Sequence, residues 1–353
     1  MRRRAFLAGA AAASAIPAAA WAEVGAPAFL AAAREPSGAF ALIGLGPEGG
    51  EAFRVPLPAR GHAAAAHPLR AEAVAFARRP GTFALVLDCR TGAVRRRLEA
   101  PEGRHFYGHG AYLGGGTVLA TTENDFAAGE GVLGLWDAHG GYRRMGEWRT
   151  GGTGPHEVVR LPGTEVLAVA NGGIRTHPAT GRRKLNLAVM RPNLAFLRDG
   201  AAEEVVELGE GMRLASIRHL AARRDGTVAM ALQWQGEEGE ARALLALHRR
   251  GGGAPRLLED PATQGAMRGY GGSVAFSGDG ARVAVTGPRG GLAQVFPVAG
   301  GPAGIVRRPD ICGVAPAGAG LAFTDGRGGI LHPGGARRAG VAWDNHLVPV
   351  GPG

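Results

Sequence analysis

The feature that most constrains the fold is a repeated segment: a histidine, an apolar strand-like run, a turn and a second apolar run. It reads "GHGAYLGGGTVLATTEND" at 108–125 and "GHAAAAHPLRAEAVAFAR" at 61–78. Further copies lie at 154–171 and 217–235, and copies without the histidine lie at 271–287 and 312–326. Such internal self-similarity indicates a repeat architecture, in which each unit packs against its neighbours.

One equivalent position in each unit, here called the anchor, sets the number of units. Successive anchors are 47, 47, 63, 54, 39 and 34 residues apart. Blades of about 40–50 residues with four strands are typical of β-propellers, and insertions lengthen individual blades. The chain is therefore predicted to be an all-β, seven-bladed β-propeller. The anchors are His62, His109, His156, His219, Ser273, Cys312 and His346.

The last unit is split between the two ends of the chain. "DNHLVPV" at 344–350 supplies a histidine and one strand, whereas "GAFALIGLG" at 38–46 and "EAFRVPL" at 51–57 supply strands that lack a first strand. Pairing the termini would complete the blade and close the ring. We therefore predict that the strand at 346–350 completes the blade of residues 38–58, in one domain spanning 23–353.

The N-terminus has the pattern of an export signal. "MRRRAFLAGAAAASAIPAAAWAE" combines a basic start, an apolar stretch and a small-x-small cleavage site that ends at Ala22. Arg3 and Arg4 followed by an apolar pair resemble the twin-arginine signal, and an ordinary secretory signal is the alternative. We expect residues 1–22 to be removed, leaving a soluble periplasmic protein without a membrane span.

The basic composition does not indicate nucleic-acid binding. The formal charge is +10, but 39 of the 40 basic residues are scattered arginines, and only 6% of residues are aromatic. No basic run alternates with aromatic residues, as a nucleic-acid surface would require. Cys89 and Cys312 could form a disulfide in an oxidising compartment, although nothing in the sequence requires it.

The anchors predict a metal site. The first strand of each propeller blade lines the central channel, so equivalent positions on these strands form a ring at one mouth. Imidazoles that converge on one point commonly hold copper, iron or zinc, and we expect three or four of the five to reach one ion. A structural motif copied from blade to blade is the competing interpretation. The candidate ligands are His62, His109, His156, His219 and His346.

Residues around this ring are expected to orient the imidazoles. The second strand of each unit returns to the same mouth, so that Glu123 and Asp125 would lie near His109. An insertion at 171–178 would overhang the site. The predicted supporting residues are Glu123, Asp125, Asn171, His177, Arg218, Gln233, Gln235 and Cys312, with Arg78 at another strand end.

Most of the mature chain resembles an uncharacterised family of twin-arginine-exported periplasmic proteins, domain of unknown function 1513. The matching stretches include "GHGAYLGGGTVLATTEND", "GEWRTGGTGPHEVV", "VANGGIRTHPATGRRKLNLAVMRPNL", "IRHLA" and "DNHL". The resemblance implies a propeller that takes part in periplasmic iron handling, with imelysin-like iron-regulated proteins as partners. The histidine ring also resembles the copper site of nitrous-oxide-reductase-type propellers, although the cupredoxin-like domain of those enzymes is absent here.

Three functions follow from these observations. The first is binding of a transition metal or metal complex, iron or copper, for uptake or handling. The second is a periplasmic enzyme of the lyase, lactonase or oxidoreductase type, in which the histidines, Glu123 and Arg218 would perform acid–base chemistry. The third is an interaction platform for neighbouring uptake proteins. Metal content after purification separates the first function from the others.

Overall fold

The computed structural model describes residues 17–78, 82–181, 183–237 and 239–350 of the chain. These residues form seven antiparallel sheets whose order around the ring follows the order of the chain. The prediction of a seven-bladed β-propeller is confirmed. Residues 1–16 of the predicted signal segment lie outside the described residues, and its last six residues form a short helix, α1 (Pro17–Ala22). None of the helices described is long and apolar enough to cross a membrane.

Each blade is a meander of neighbouring strands. Blade 1 contains β1 (Phe29–Arg34), β2 (Phe40–Leu45) and β3 (Glu51–Leu57); blade 2 contains β4 (Gly61–Ala66), β5 (Glu72–Ala77), β6 (Phe83–Asp88) and β7 (Val94–Glu99); blade 3 contains β8 (Arg104–Leu113), β9 (Val118–Asp125), β10 (Glu130–Asp137) and β11 (Arg143–Arg149). Blade 4 contains β12 (Pro155–Arg160), β13 (Leu167–Asn171), β14 (Asn193–Arg198) and β15 (Ala201–Glu207); blade 5 contains β16 (Ala215–Ala222), β17 (Thr227–Trp234), β18 (Leu245–Arg249) and β19 (Arg256–Leu258). Blade 6 contains β20 (Val274–Phe276), β21 (Arg282–Gly287), β22 (Leu292–Pro297) and β23 (Gly304–Arg307); blade 7 contains β24 (Ile311–Ala317), β25 (Gly320–Asp325), β26 (Gly329–His332) and β27 (Gly335–Arg338).

Two short strands at the C-terminus close the ring. β28 (Ala342–Trp343) and β29 (Val348–Pro349) both pair with β1, so the innermost strand of blade 1 comes from the end of the chain. The predicted closure is confirmed, with two differences. The inner strand is interrupted between Trp343 and Val348, and β1, which the sequence analysis did not identify, lies between it and β2.

Hydrophobic packing follows the position of each strand in its blade. Inner strands such as β5 are buried along their whole length, because both faces meet neighbouring blades. Outer strands such as β7 are largely exposed and carry charges. The core therefore consists of layers between adjacent blades, for example the layer around Phe196, Ile217 and Met230, which joins blades 4 and 5.

Five of the seven anchors lie at irregularities in the inner strands. The pairing register shifts between Phe106 and Gly110 in β8, and between Pro155 and Glu157 in β12. Similar shifts occur in β4, β16 and β24. A β-bulge bends the strand and redirects a side chain that regular alternation would point elsewhere. The bulges direct four of the five anchor histidines toward the channel, whereas His346 lies in the gap between β28 and β29.

A buried carboxylate fastens the closing segment to blade 2. Asp344 is 5% exposed and accepts hydrogen bonds from Arg60 Nε at 2.6 Å and Arg78 Nη1 at 2.8 Å. Its backbone N–H also donates to Ala32 O at 2.9 Å. Arg60 and Arg78 flank the hairpin of β4 and β5, so this contact links the C-terminus to the neighbouring blade.

Replacing Asp344 with asparagine should therefore weaken ring closure. We expect Asp344→Asn to lower the free energy of unfolding by about 2 kcal/mol or more, because two charge-assisted hydrogen bonds are lost at a buried position. Chemical denaturation of both proteins measures the change. Glu48→Gln on the exposed surface of the same blade is the control and should change stability by less than about 0.5 kcal/mol. Equal stability of Asp344→Asn and wild type would show that closure does not depend on this contact.

Candidate metal centre

The five anchor histidines converge at one mouth of the channel. Within this group, the centroids of neighbouring imidazoles are 4.7 Å apart for His346 and His62 and 5.0 Å apart for His62 and His109. The distance is 5.4 Å for His109 and His156 and 4.7 Å for His156 and His219. His219 and His346 close the group at 4.5 Å. All five side chains are buried. They come from five consecutive blades, and chain closure is what places His346 in the group.

A glycine makes room for this packing. Gly108 precedes His109 in the bulge of β8 and has a φ of +103°, in the region that favours glycine. A Cβ at this position would lie 2.5 Å from His62 Cδ2. The imidazole of His62 therefore occupies space that any other residue at position 108 would fill.

Several ring nitrogens of the cluster have no partner. Among the described residues, nothing forms a hydrogen bond with His62 Nδ1, His109 Nε2, His156 Nδ1 or His346 Nε2. Buried polar atoms are normally satisfied, so this group of unpaired nitrogens requires an explanation. Two triads offer donor atoms within 4.8 Å of one another, and they share His109. The triads are His62, His109 and His346, and His109, His156 and His219.

Glu157 supports the cluster and was missed by the sequence analysis. Its carboxylate lies 3.0 Å from His219 Nδ1 and 3.4 Å from His109 Nδ1, and it accepts a hydrogen bond from Leu220 N at 3.0 Å. The carboxylate fixes the orientation of both rings and turns the other nitrogen of each toward the cluster. The sequence signal for this role is a carboxylate directly after an anchor histidine in a predicted inner strand, "PHEVV".

The electrostatics favour neutral imidazoles. Burial lowers the pKa of His62, His156 and His346 well below the usual value, and the neighbouring imidazoles lower it further. Burial also lowers the pKa of His219, although Glu157 opposes that shift. Burial alone would raise the pKa of Glu157, but His109 and His219 hold it well below its usual range. Neutral imidazoles beside an ionised carboxylate are the protonation states that a metal ion requires.

A cavity of about 300 Å³ opens over the cluster. His62, His156 and His219 reach it from below. The loop between β13 and β14 contributes Ile174, Thr176 and Lys184 to its wall. This is the insertion that was predicted to overhang the site. The remaining lining side chains, apart from Trp234, are polar or cationic: Arg78, Tyr107, Arg218, Gln233, Gln235, Tyr270, Arg289 and Asn345.

Some predicted supporting residues lie elsewhere. Glu123 is buried inside blade 3, where it accepts two hydrogen bonds from Arg144 at 2.8 and 2.9 Å. The bulge in β8 pairs Glu123 with Phe106 and not with His109, which is why the simple hairpin register misplaced it. Asp125 is paired with Arg104 at 3.3 Å, and Asn171 donates to Thr150 O and Asn193 Oδ1.

The other supporting residues divide into two groups. Arg218, Gln233, Gln235 and Arg78 line the cavity that opens over the cluster. His177 instead accepts a hydrogen bond from Ala179 N and packs on Phe126. Cys312 is outside the cavity lining; burial raises its pKa to about 12, and its thiol donates to Asp344 O at 3.3 Å. Cys312 and Cys89 are both free and buried.

A comparison with protein families identifies the chain. The family described as "Protein of unknown function (DUF1513)" matches residues 55–350, which include all seven anchors. The chain belongs to the DUF1513 family. No curated protein matches it.

Solved structures similar to this DUF1513 protein share its fold at low sequence identity. Hydrazine synthase of Kuenenia stuttgartiensis is 13% identical, with a TM-score of 0.59 over 95% of this chain and 99% of the other. The Cps50 (Swd1) β-propeller domain of Myceliophteria thermophila is 16% identical, with a TM-score of 0.51 over 74% and 76%. A chain of the mitotic checkpoint complex is 13% identical, with a TM-score of 0.51 over 80% and 72%. These similarities show the propeller fold alone.

The pKa shifts predict that acid destabilises the metal-free protein. Because the folded-state pKa of His62, His156, His219 and His346 lies below the unfolded value, stability is complete above about pH 6.5 and is lost as the pH falls below it. Each histidine adds up to about 1.4 kcal/mol per pH unit to the slope. Protonation of Glu157 also destabilises the folded state, at lower pH, because its folded-state pKa lies below its unfolded value. Denaturation of metal-stripped protein between pH 7.5 and 5.5 measures the slope.

A matched pair of variants assigns this slope to the cluster. His346→Asn removes one titrating group and should reduce the slope of unfolding free energy against pH by up to about 1.4 kcal/mol per pH unit. His139→Asn removes an exposed histidine outside the cluster and should leave the slope as in wild type. A slope that is the same in all three proteins would contradict the depressed pKa values.

Proposed function

We propose that this DUF1513 protein binds one transition-metal ion through its histidine cluster and serves in the uptake or handling of iron or copper. The observation that carries the proposal is a buried group of five imidazoles in which four ring nitrogens are unpaired and two triads offer donor atoms within 4.8 Å of one another. Purely structural histidines would be expected to find hydrogen-bond partners at such a depth. A metal ion would satisfy these nitrogens.

The donor set supports this proposal. Neutral imidazole suits copper, iron, zinc and nickel, and copper(II) has the highest intrinsic affinity among divalent ions of this series. Glu157 would hold His109 and His219 as carboxylate–histidine pairs of the kind that support metal ligands. Since His109 belongs to both triads and its Nδ1 faces Glu157, its Nε2 offers a single lone pair to an ion. We therefore expect the triads to be alternatives and one ion to bind per chain.

The cellular setting extends the proposal. The N-terminal sequence supports export to the periplasm by the twin-arginine route, which carries proteins that have already folded. The family resemblance supports a connection with imelysin-like iron-regulated proteins as partners. Export of a folded protein would allow the buried cluster to acquire its metal before translocation.

Catalysis is the second candidate function. One observation favours it: His62, His156 and His219 face a cavity that could admit a small molecule beside the cluster. A metal held by buried ligands with one side open to a cavity can polarise a bound substrate. Turnover, and not merely binding, would distinguish this candidate.

Metal titration tests the binding proposal. Stripped protein should take up about one equivalent of Cu²⁺ or Fe²⁺, measured by mass spectrometry after desalting and by calorimetric titration. His109→Ala should abolish stoichiometric binding, because both triads contain this residue. Glu157→Gln should weaken binding by about 10–100-fold, since it alters the support of two ligands while leaving the donors in place.

His139→Ala is the matched control, because this histidine is exposed and lies outside the cluster. It should bind metal as the wild type does. Denaturation curves of each metal-free variant separate lost binding from lost folding. Wild-type protein without stoichiometric metal uptake, or full binding by His109→Ala, would contradict the proposal and leave the cluster a structural feature.

The export prediction has its own test. Replacing both Arg3 and Arg4 with lysine should leave the full-length precursor in the cytoplasm, because the twin-arginine pathway requires the paired arginines. Cell fractionation and immunoblotting measure where the chain accumulates. The same replacement should not alter metal binding by the purified protein. Unchanged export would indicate the general secretory route.

A further inference from the structure

We propose that the cavity above the histidine cluster binds a small anion with several separated carboxylates, and that this anion also coordinates the metal ion. Coordination of the metal by this anion rests on the proposed metal binding, whereas binding of the anion rests on the cavity alone. The ligand class is a di- or tricarboxylate, for which citrate is a suitable probe.

The cavity wall is cationic on several sides. Arg78 extends from blade 2, Lys184 from the loop of blade 4, Arg218 from blade 5 and Arg289 from blade 6. Lys184 is the only lysine in the chain. Charges from four blades surround the cavity, an arrangement that suits a ligand with anionic groups at several points better than one compact anion.

Among the described residues, two of the four cations have no ion-pair partner. Within the described part of the chain, no aspartate or glutamate lines the cavity, and neither Lys184 nor Arg289 forms an ion pair. Arg289 instead lies over the ring of Tyr270 at 4.5 Å. Arg78 is partly neutralised by Asp344. Partial burial lowers the pKa of Lys184, and the charges of Arg218 and Arg289 lower it further, which indicates that these cations lie near one another.

Hydrogen-bond donors accompany the charges. The side chains of Gln233, Gln235 and Asn345 line the same wall. Arginine offers a planar fork that matches a carboxylate, and amide groups can donate to carboxylate or hydroxyl oxygens. A volume of about 300 Å³ lies at the lower end of the range for small-molecule sites, so the ligand is small.

The cationic wall also bears on how a metal would enter. A bare divalent cation approaching through the cavity would be repelled by these side chains, although the carboxylate of Glu157 lies beside His109 and His219. A metal ion chelated by a polycarboxylate would carry a negative charge, so the cationic wall would attract it. The carboxylate would also bring oxygen donors to the open side of the cluster. His62, His156 and His219 form that side.

Calorimetric titration of citrate at about 0.15 M salt tests the site, a condition that screens distant charges. The test variant is Lys184→Gln with Arg289→Gln, neither of which belongs to the histidine cluster. The control is Arg183→Gln with Arg282→Gln, which removes the same charge from the same loop and from the far end of β21, outside the cavity lining. Each protein is titrated without metal and after loading with Cu²⁺, and its copper content is measured afterwards.

Citrate should bind the metal-free wild type, and the test variant should bind at least about tenfold more weakly, because charge-assisted hydrogen bonds are lost. The control should stay within about twofold. Inorganic phosphate, a compact anion, should bind more weakly than citrate. Cu²⁺-loaded protein should retain its copper and bind citrate more tightly than the metal-free form.

The outcomes separate this proposal from the metal function. Citrate affinity that is unchanged in the test variant, or equally reduced in the control, would overturn the anion site. Phosphate binding as tight as citrate would overturn the multi-carboxylate assignment. Citrate that binds no tighter after copper loading, or that strips the copper, would overturn the coordinating role. If Cu²⁺ does not bind but citrate binding still depends on Lys184 and Arg289, the metal function is wrong and the anion site stands.

Discussion

Ring closure is the constraint on which the rest of the structure depends. The innermost strand of blade 1 comes from β28 and β29, and their pairing with β1 carries the segment from Asp344 to Leu347 to the channel. This segment brings His346 beside His62 and His219, which belong to blades 2 and 5. The histidine cluster thus forms only in the closed propeller. Its geometry and the stability of the ring are consequences of the same strand pairing.

The cluster combines two features that regular β-structure does not provide. Bulges in the inner strands direct side chains toward the channel, and Gly108 allows the imidazole of His62 to pack against the backbone of the next blade. Glu157 then fixes the rings of His109 and His219 from one side. The resulting imidazoles are buried and mutually close, and several nitrogens are left without a partner among the described residues. The proposed metal ion would account for these features together.

Much of this arrangement could be predicted from the sequence because propeller geometry repeats. Equal spacing of the anchors indicated that His62, His109 and His156 occupy equivalent positions, and equivalence in a closed ring implies proximity. Local register could not be predicted in the same way. The irregularity in β8 inserts two extra residues between Phe106 and Gly110 relative to β9, so Glu123 pairs with Phe106 and its carboxylate binds Arg144, away from His109. A separate bulge in β12 concealed Glu157, which by strict alternation would point away from its neighbour His156.

The central claim is that the histidine cluster holds one metal ion through one of its two triads, and the most direct measurement is anomalous X-ray diffraction from crystals of metal-loaded protein. The predicted result is a single anomalous peak within the cluster, about 2.0–2.1 Å from the nitrogens of at least three histidines, His109 among them. A peak at another position, or none at stoichiometric loading, would contradict the account.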